Sequence, residues 1–145
     1  MKRGENMKKM KRMVGVASLA VLVGGASTVL AASMGEFSFS FSSNVIGKTE
    51  FKLANKSTSC SSAADSYRYG TSEVLSTKYR YKMSLEQQKI FGKSYSGDKS
   101  IYADGLKHKI AFNTVDKGTY TVNIGSPDML SASGVVIKGD GELFQ

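Results

Sequence analysis

The stretch Ile110-Ala111-Phe112-Asn113-Thr114-Val115-Asp116-Lys117-Gly118-Thr119-Tyr120-Thr121-Val122-Asn123-Ile124 holds two alternating runs joined by a turn signal. Ile110 and Phe112 alternate with Ala111 and Asn113, and Tyr120, Val122 and Ile124 alternate with Thr121 and Asn123. A period of two sends successive side chains to opposite faces of a strand, so each run offers one face to a core. Between them Asp116, Lys117 and Gly118 predict a hairpin, because Asp favours turns and glycine accepts positive φ.

Working outward, Leu106-Lys107-His108-Lys109 leads into the first run, and Gly125-Ser126-Pro127-Asp128 ends the second in a turn. Upstream, Glu36-Phe37-Ser38-Phe39-Ser40-Phe41-Ser42 alternates without a break, the pattern of a half-buried antiparallel strand. Phe51 and Leu53 continue it after a turn at Asn44 to Gly47, whereas Asn55 to Ser66, rich in Ser, Thr, Asn and Ala, reads as a surface loop. Tyr67 to Gly70 and Ser100 to Tyr102 predict short strands. From Thr77 to Leu85, Tyr79, Tyr81, Met83 and Leu85 form an inward stripe, and Lys78, Arg80, Lys82 and Ser84 an outward one. Glu86 to Lys89 is too short for a helix and reads as a turn into Ile90-Phe91. The last unit reads as a strand at Gly134 to Ile137, a turn at Lys138 to Gly141 and a closing strand at Glu142 to Phe144. Roughly seven to nine short strands without an amphipathic helix predict an all-β, antiparallel β-sandwich, jelly-roll or immunoglobulin-like, with a small β-barrel as the alternative.

The N-terminus stands apart. Lys2, Arg3, Lys8, Lys9, Lys11 and Arg12 precede an uncharged run from Met13 to Ala32 that ends in small residues, the layout of a secretory signal peptide. Residues 1–32 are accordingly read as the leader, cut after Ala31 or Ser33, and 33–145 as a single domain. The competing reading is a retained membrane span, since the run has about the ~20 residues that a crossing needs. Of the formal net charge of +8, most belongs to the leader. Residues 33–145 carry 14 basic and 11 acidic side chains, a net +3, which is no footprint of a nucleic-acid binder. All seven Phe and all seven Tyr fall in this part, enough for a core without disulfides. The expected location is secreted, with association to the wall of a Gram-positive cell and no stable membrane insertion after cleavage.

The run Phe112-x-x-Val115-x-x-Gly118-Thr119-Tyr120-Thr121-Val122, followed by a final apolar strand, resembles the last third of bacterial pre-peptidase C-terminal domains and related secreted jelly-roll modules. The resemblance covers about 30 residues and implies a small secreted sandwich of the accessory, binding kind. Such domains often carry an Asp-rich strand where this chain has Tyr79-Arg80-Tyr81-Lys82-Met83, so the resemblance implies no calcium role here.

The chemical inventory points away from an enzyme. His108 is the only histidine, and Lys107 and Lys109 beside it oppose its protonation. Cys60 is the only cysteine, which leaves a buried thiol or a disulfide between chains. No G-x-S-x-G nucleophile turn and no zinc ligand set exist. Asp128, Asp140 and Glu142 lack the dense spacing of a calcium loop and read as solvated turns. No catalytic residue, metal or cofactor is therefore expected. Charge placement remains. Lys78, Arg80 and Lys82, with Lys107 and Lys109 similarly spaced, put five cations on one face if their strands share a sheet. Such a face attracts anionic cell-wall polymer or polysaccharide, and Tyr67, Tyr69, Tyr95 and Tyr102 offer aromatic area for sugars. Equally, these cations can serve only to keep an exposed sheet soluble and to discourage edge pairing. The function expected is an exported, non-enzymatic binding or cell-surface protein. A small secreted toxin or bacteriocin-like effector is the alternative.

Overall fold

A computed structural model describes residues 30–145. Most of the leader lies outside these residues. The compact unit Ala31–Gln145 carries both sheets and its own core.

Among the described residues, ten strands and no helix make two open antiparallel sheets packed face to face, a β-sandwich. In chain order they are β1 (Ser33–Phe41), β2 (Asn44–Ile46), β3 (Phe51–Leu53), β4 (Ser57–Arg68), β5 (Arg80–Gln87), β6 (Ser94–Ser96), β7 (Ile101–Tyr102), β8 (Asp104–Thr114), β9 (Gly118–Gly125) and β10 (Val135–Phe144). The first sheet runs β1-β10-β4-β8. The second has β9 and β5 at its centre; β2 and β3 pair with β9, and β6 and β7 with β5. The alternating stripes of β1, β5 and β9 bury the residues expected: Phe39 and Phe41, then Tyr81, Met83 and Leu85, then Tyr120, Val122 and Ile124.

Four expectations are corrected. Asn44 to Ile46 is not a turn but the strand β2, paired with β9. Asn55 to Ser66 is no surface loop, because Ser57–Arg68 is a twelve-residue strand hydrogen-bonded on both sides. Its inward face is Thr58, Cys60, Ser62, Ala64 and Ser66, all buried. The small side chains leave room for the opposite sheet, so the alternation exists without an apolar signal. Tyr81 reaches across, its hydroxyl 2.9 Å from Ser62 Oγ, and that Oγ donates to the Asp140 carbonyl at 2.8 Å. Cys60 is a free thiol, fully buried, with Sγ 3.9 Å from Met83 Sδ.

Nor is Lys138 to Gly141 a turn. It continues β10 through the middle of the first sheet, with Gly139 opposite Phe39 and Gly141 opposite Phe37. Here the glycines serve close approach: a Cβ at 141 would sit 2.5 Å from Phe37 Cζ, and one at 139 would collide with the Ala63 carbonyl and Ala64. Aromatic rings lying over strand glycines restore the packing that the missing side chains forgo.

The link from β8 to β9 is a crossover, not a hairpin, since β8 pairs with β4 in the first sheet and β9 with β5 in the second. Asn113 adopts φ 59°, a conformation Asn tolerates better than most residues, and Val115 is buried between the sheets. Tyr120 Oη donates to the Asp116 carbonyl at 2.7 Å, the tyrosine-corner device of β-sandwiches. Tyr95 Oη accepts from the Asp116 N–H at 3.1 Å, and the rings of Tyr95 and Tyr120 pack edge-on. Local alternation sets each strand, but the buried valine and the tyrosine bond send the chain across.

Candidate functional site

The five cations of the sequence do not share a face. Arg80 and Lys82 project from β5 in the second sheet, while Lys107 and Lys109 project from β8, an edge strand of the first. Lys78 precedes β5 and is half-buried, with Nζ 2.6 Å from Asp65 Oδ1. Arg80 Nη2 lies 2.9 Å from Asp128 Oδ1, and the Arg80 N–H donates to Asp128 Oδ2 at 2.8 Å. Those two bonds hold the Asp128 carboxyl below its ordinary range. Lys82 is exposed and has no ion-pair partner among the described residues.

The outer face of the first sheet is not uniformly cationic. Glu142 lies between Glu36 and Ser61, and Asp140 between Ser38 and Ala63, so carboxylates occupy the half away from Lys107 and Lys109. A shallow depression of about 430 Å³ between Glu36, Ser61, Lys107, Asp140 and Glu142 is thus lined mostly by negative charge. A polyanion would meet repulsion there. His108 faces Asp104, with Nε2 2.9 Å from Asp104 Oδ1. Burial pushes the Asp104 carboxyl up, but the His108 and Leu106 N–H bonds outweigh it and hold the group below its ordinary value.

The outer face of the second sheet is mostly a ladder of uncharged polar groups, with Lys82, Glu86 and Ile46 among them. In register, Asn44, Gly125 and Lys82 form one row; Ile46, Asn123, Ser84 and Ser96 the next; Thr121, Glu86 and Ser94 a third. Within the third row Ser94 Oγ donates to Glu86 Oε1 at 2.8 Å, and Gln88 Nε2 covers Thr121 by donating to its Oγ1 at 2.9 Å. The three rows line a depression of about 480 Å³ in which Asn44, Asn123, Ser84, Ser96 and Lys82 are joined by the carboxylate of Glu86 and by Ser94. Amides and hydroxyls supply donors and acceptors in both directions, the chemistry that hydroxyl-bearing ligands require. Lys82 adds one unpaired positive charge.

Of the residues singled out from sequence, Lys82 alone belongs to this face as an available cation. Asn44, Ser84, Ser96 and Asn123 were not anticipated as a group, because β2, β5, β6 and β9 become neighbours only through pairing across distant positions. The four tyrosines form no common platform. Tyr95 packs inward on Tyr120, Tyr67 lies under Lys138 Nζ at 5.1 Å, and Tyr69 and Tyr102 are exposed near the ends of β4 and β7. Among the described residues no three His, Cys, Asp or Glu side chains gather as a metal site.

No protein-family model matches the chain, and no curated protein matches it. Among solved structures it is similar to the N-terminal CBM22-1 and GH10 modules of the Clostridium thermocellum endo-1,4-beta-D-xylanase 10B, crystallised with xylohexaose. The likeness has 11% sequence identity and a TM-score of 0.38, over 66% of this chain and 19% of the xylanase chain.

Proposed function

We propose that the chain is an exported, non-enzymatic binding module that takes a hydroxyl-bearing polymer of the cell surface along the outer face of its second sheet, with Lys82 meeting the polymer's anionic groups. The observation that carries this reading is Lys82, without an ion-pair partner among the described residues, in a depression of amides and hydroxyls whose one carboxylate, Glu86, is bonded by Ser94. Lys78 and Arg80 are occupied by Asp65 and Asp128, and the first sheet offers carboxylates, so the second sheet is where an anionic polysaccharide meets least repulsion. Export rests on the basic segment followed by an uncharged run ahead of Ser33.

The test is a pull-down of residues 31–145 on purified cell-wall polysaccharide at low and high salt. Binding is expected to weaken as added salt shortens the roughly 8–10 Å screening length. Lys82→Gln should reduce affinity several-fold and flatten the salt dependence, and Asn123→Ala should reduce it further, while Arg80→Gln changes it little. All three positions are on the outer face, so Lys82→Gln should keep stability within about 0.5 kcal/mol. Equal retention of Lys82→Gln, Asn123→Ala and the parent chain would refute the assignment to this face.

A further inference from the structure

The end of the sandwich where β10 finishes gathers three loops, residues 54–56, 88–93 and 115–117. Gln145 Nε2 donates to the Ala54 carbonyl at 2.9 Å, Asn55 Nδ2 to the Val115 carbonyl at 2.8 Å, and the Gln88 N–H to the Thr119 carbonyl at 2.8 Å. Lys93 Nζ pairs with Asp116. At the tip of the loop between β5 and β6, Ile90 is 94% and Phe91 96% exposed, the two most exposed large apolar side chains of the described residues. Around them Lys56, Lys89, Lys93 and Lys117 stand against Asp116, a net +3 over the side chains of the three loops. At the other end Arg68 pairs with Glu73, Lys78 with Asp65 and Arg80 with Asp128.

We propose that this end docks on an anionic lipid surface, with Ile90 and Phe91 inserting among the acyl chains and the surrounding lysines meeting headgroup phosphates. Two adjacent apolar side chains on a protruding loop, ringed by lysines, match the two-signal logic of peripheral membrane binding: a small buried apolar area and electrostatic attraction, neither sufficient alone. The Ala32 N–H donates to the Gln145 carbonyl at 2.7 Å, so the first residues of the sandwich unit lie at this same end. This site is separate from the polar face of the second sheet, and either assignment can fail without the other.

The experiment is co-sedimentation of residues 31–145, which hold the whole core, with vesicles of phosphatidylglycerol and phosphatidylcholine and with vesicles of phosphatidylcholine alone. Binding is expected only to the anionic vesicles. The double variant Ile90→Ser, Phe91→Ser should lose about tenfold or more in partitioning. Lys89→Gln with Lys117→Gln should lose roughly fivefold per lysine and become less sensitive to salt. Melting temperatures should not change, since these side chains touch almost nothing. The proposal is overturned by absence of co-sedimentation, by unchanged partitioning of the double variant, or by a parent chain that is dimeric and becomes monomeric in it, which would identify a second copy as the cover.

Discussion

The two sheets meet with unlike inner faces. The second presents Tyr81, Met83, Leu85, Tyr120, Val122 and Ile124, all large and buried. The two middle strands of the first present Thr58, Cys60, Ser62, Ala64 and Ser66 from β4, and from β10 Gly139 and Gly141 between the larger Ile137 and Leu143. A sandwich needs a fixed distance between its layers, so large residues on one side demand small ones opposite. The difference teaches that one half of this core is specified by what fills it and the other by what must be kept out.

Enlarging the small side should therefore have the largest effect. Gly139→Val drives a side chain into the Ala63 carbonyl and Ala64, backbone that cannot step aside without opening β4 from β10. A loss of about 4 kcal/mol or more is expected, beyond ordinary overpacking, read by urea denaturation. Shrinking the large side comes next: Leu85→Ala, at a fully buried position, should cost about 3 kcal/mol. If Gly139→Val melts like the parent, the account of β10 as a close-packed central strand is wrong.

A smaller effect separates the layers at their polar contact. Ser62→Ala strands the buried Tyr81 hydroxyl, and about 2 kcal/mol is expected. Tyr81→Phe leaves Ser62 still bonded to the Asp140 carbonyl, so about 1 kcal/mol is expected. Equal losses in the two variants would mean that the hydroxyl finds another partner. Smallest near neutrality is the effect of alkaline pH. Burial pushes Tyr81 from its ordinary 10.0 up to about 12, and the Cys60 thiol from 9.0 up to about 12. Folded-state pKa values raised in this way make the unfolded chain release protons first. Their contribution is full below about pH 9 and is lost progressively as pH rises to about 12. Denaturant midpoints between pH 8 and 11 should fall, and less steeply in Tyr81→Phe.

The same asymmetry decides what could be read in advance. Phe37, Phe39 and Phe41, or Tyr81, Met83 and Leu85, announce their strands because large and polar residues alternate. In β4 the alternation is between small buried residues, Thr58 to Ser66, and half-buried Ser59, Ser61 and Ala63, which hydropathy hardly distinguishes. Gly139 and Gly141 looked like turn residues because glycine marks turns and close approaches alike. Local pattern likewise could not tell that Val115 plunges between the sheets, since a hairpin and a crossover begin with similar residues. For the candidate site, the outward setting of Lys82 followed from the period of two. The company it keeps, Asn44 from β2 and Ser96 from β6, depends on pairing across long separations.

Cys60 gives this arrangement a gauge of its own. The thiol has no exposed surface and sits on the central strand of the small-residue sheet, flanked by β8 and β10. Its thiolate is scarce at neutral pH, and an alkylating reagent reaches it only when those strands part. Where opening and reclosing outpace the reagent, the labelling rate divided by that of an unstructured cysteine gives the opening equilibrium directly. One unpaired cysteine thus turns the protein into a clock for its own unfolding, readable by mass spectrometry in crude extracts at concentrations where no melt could be recorded.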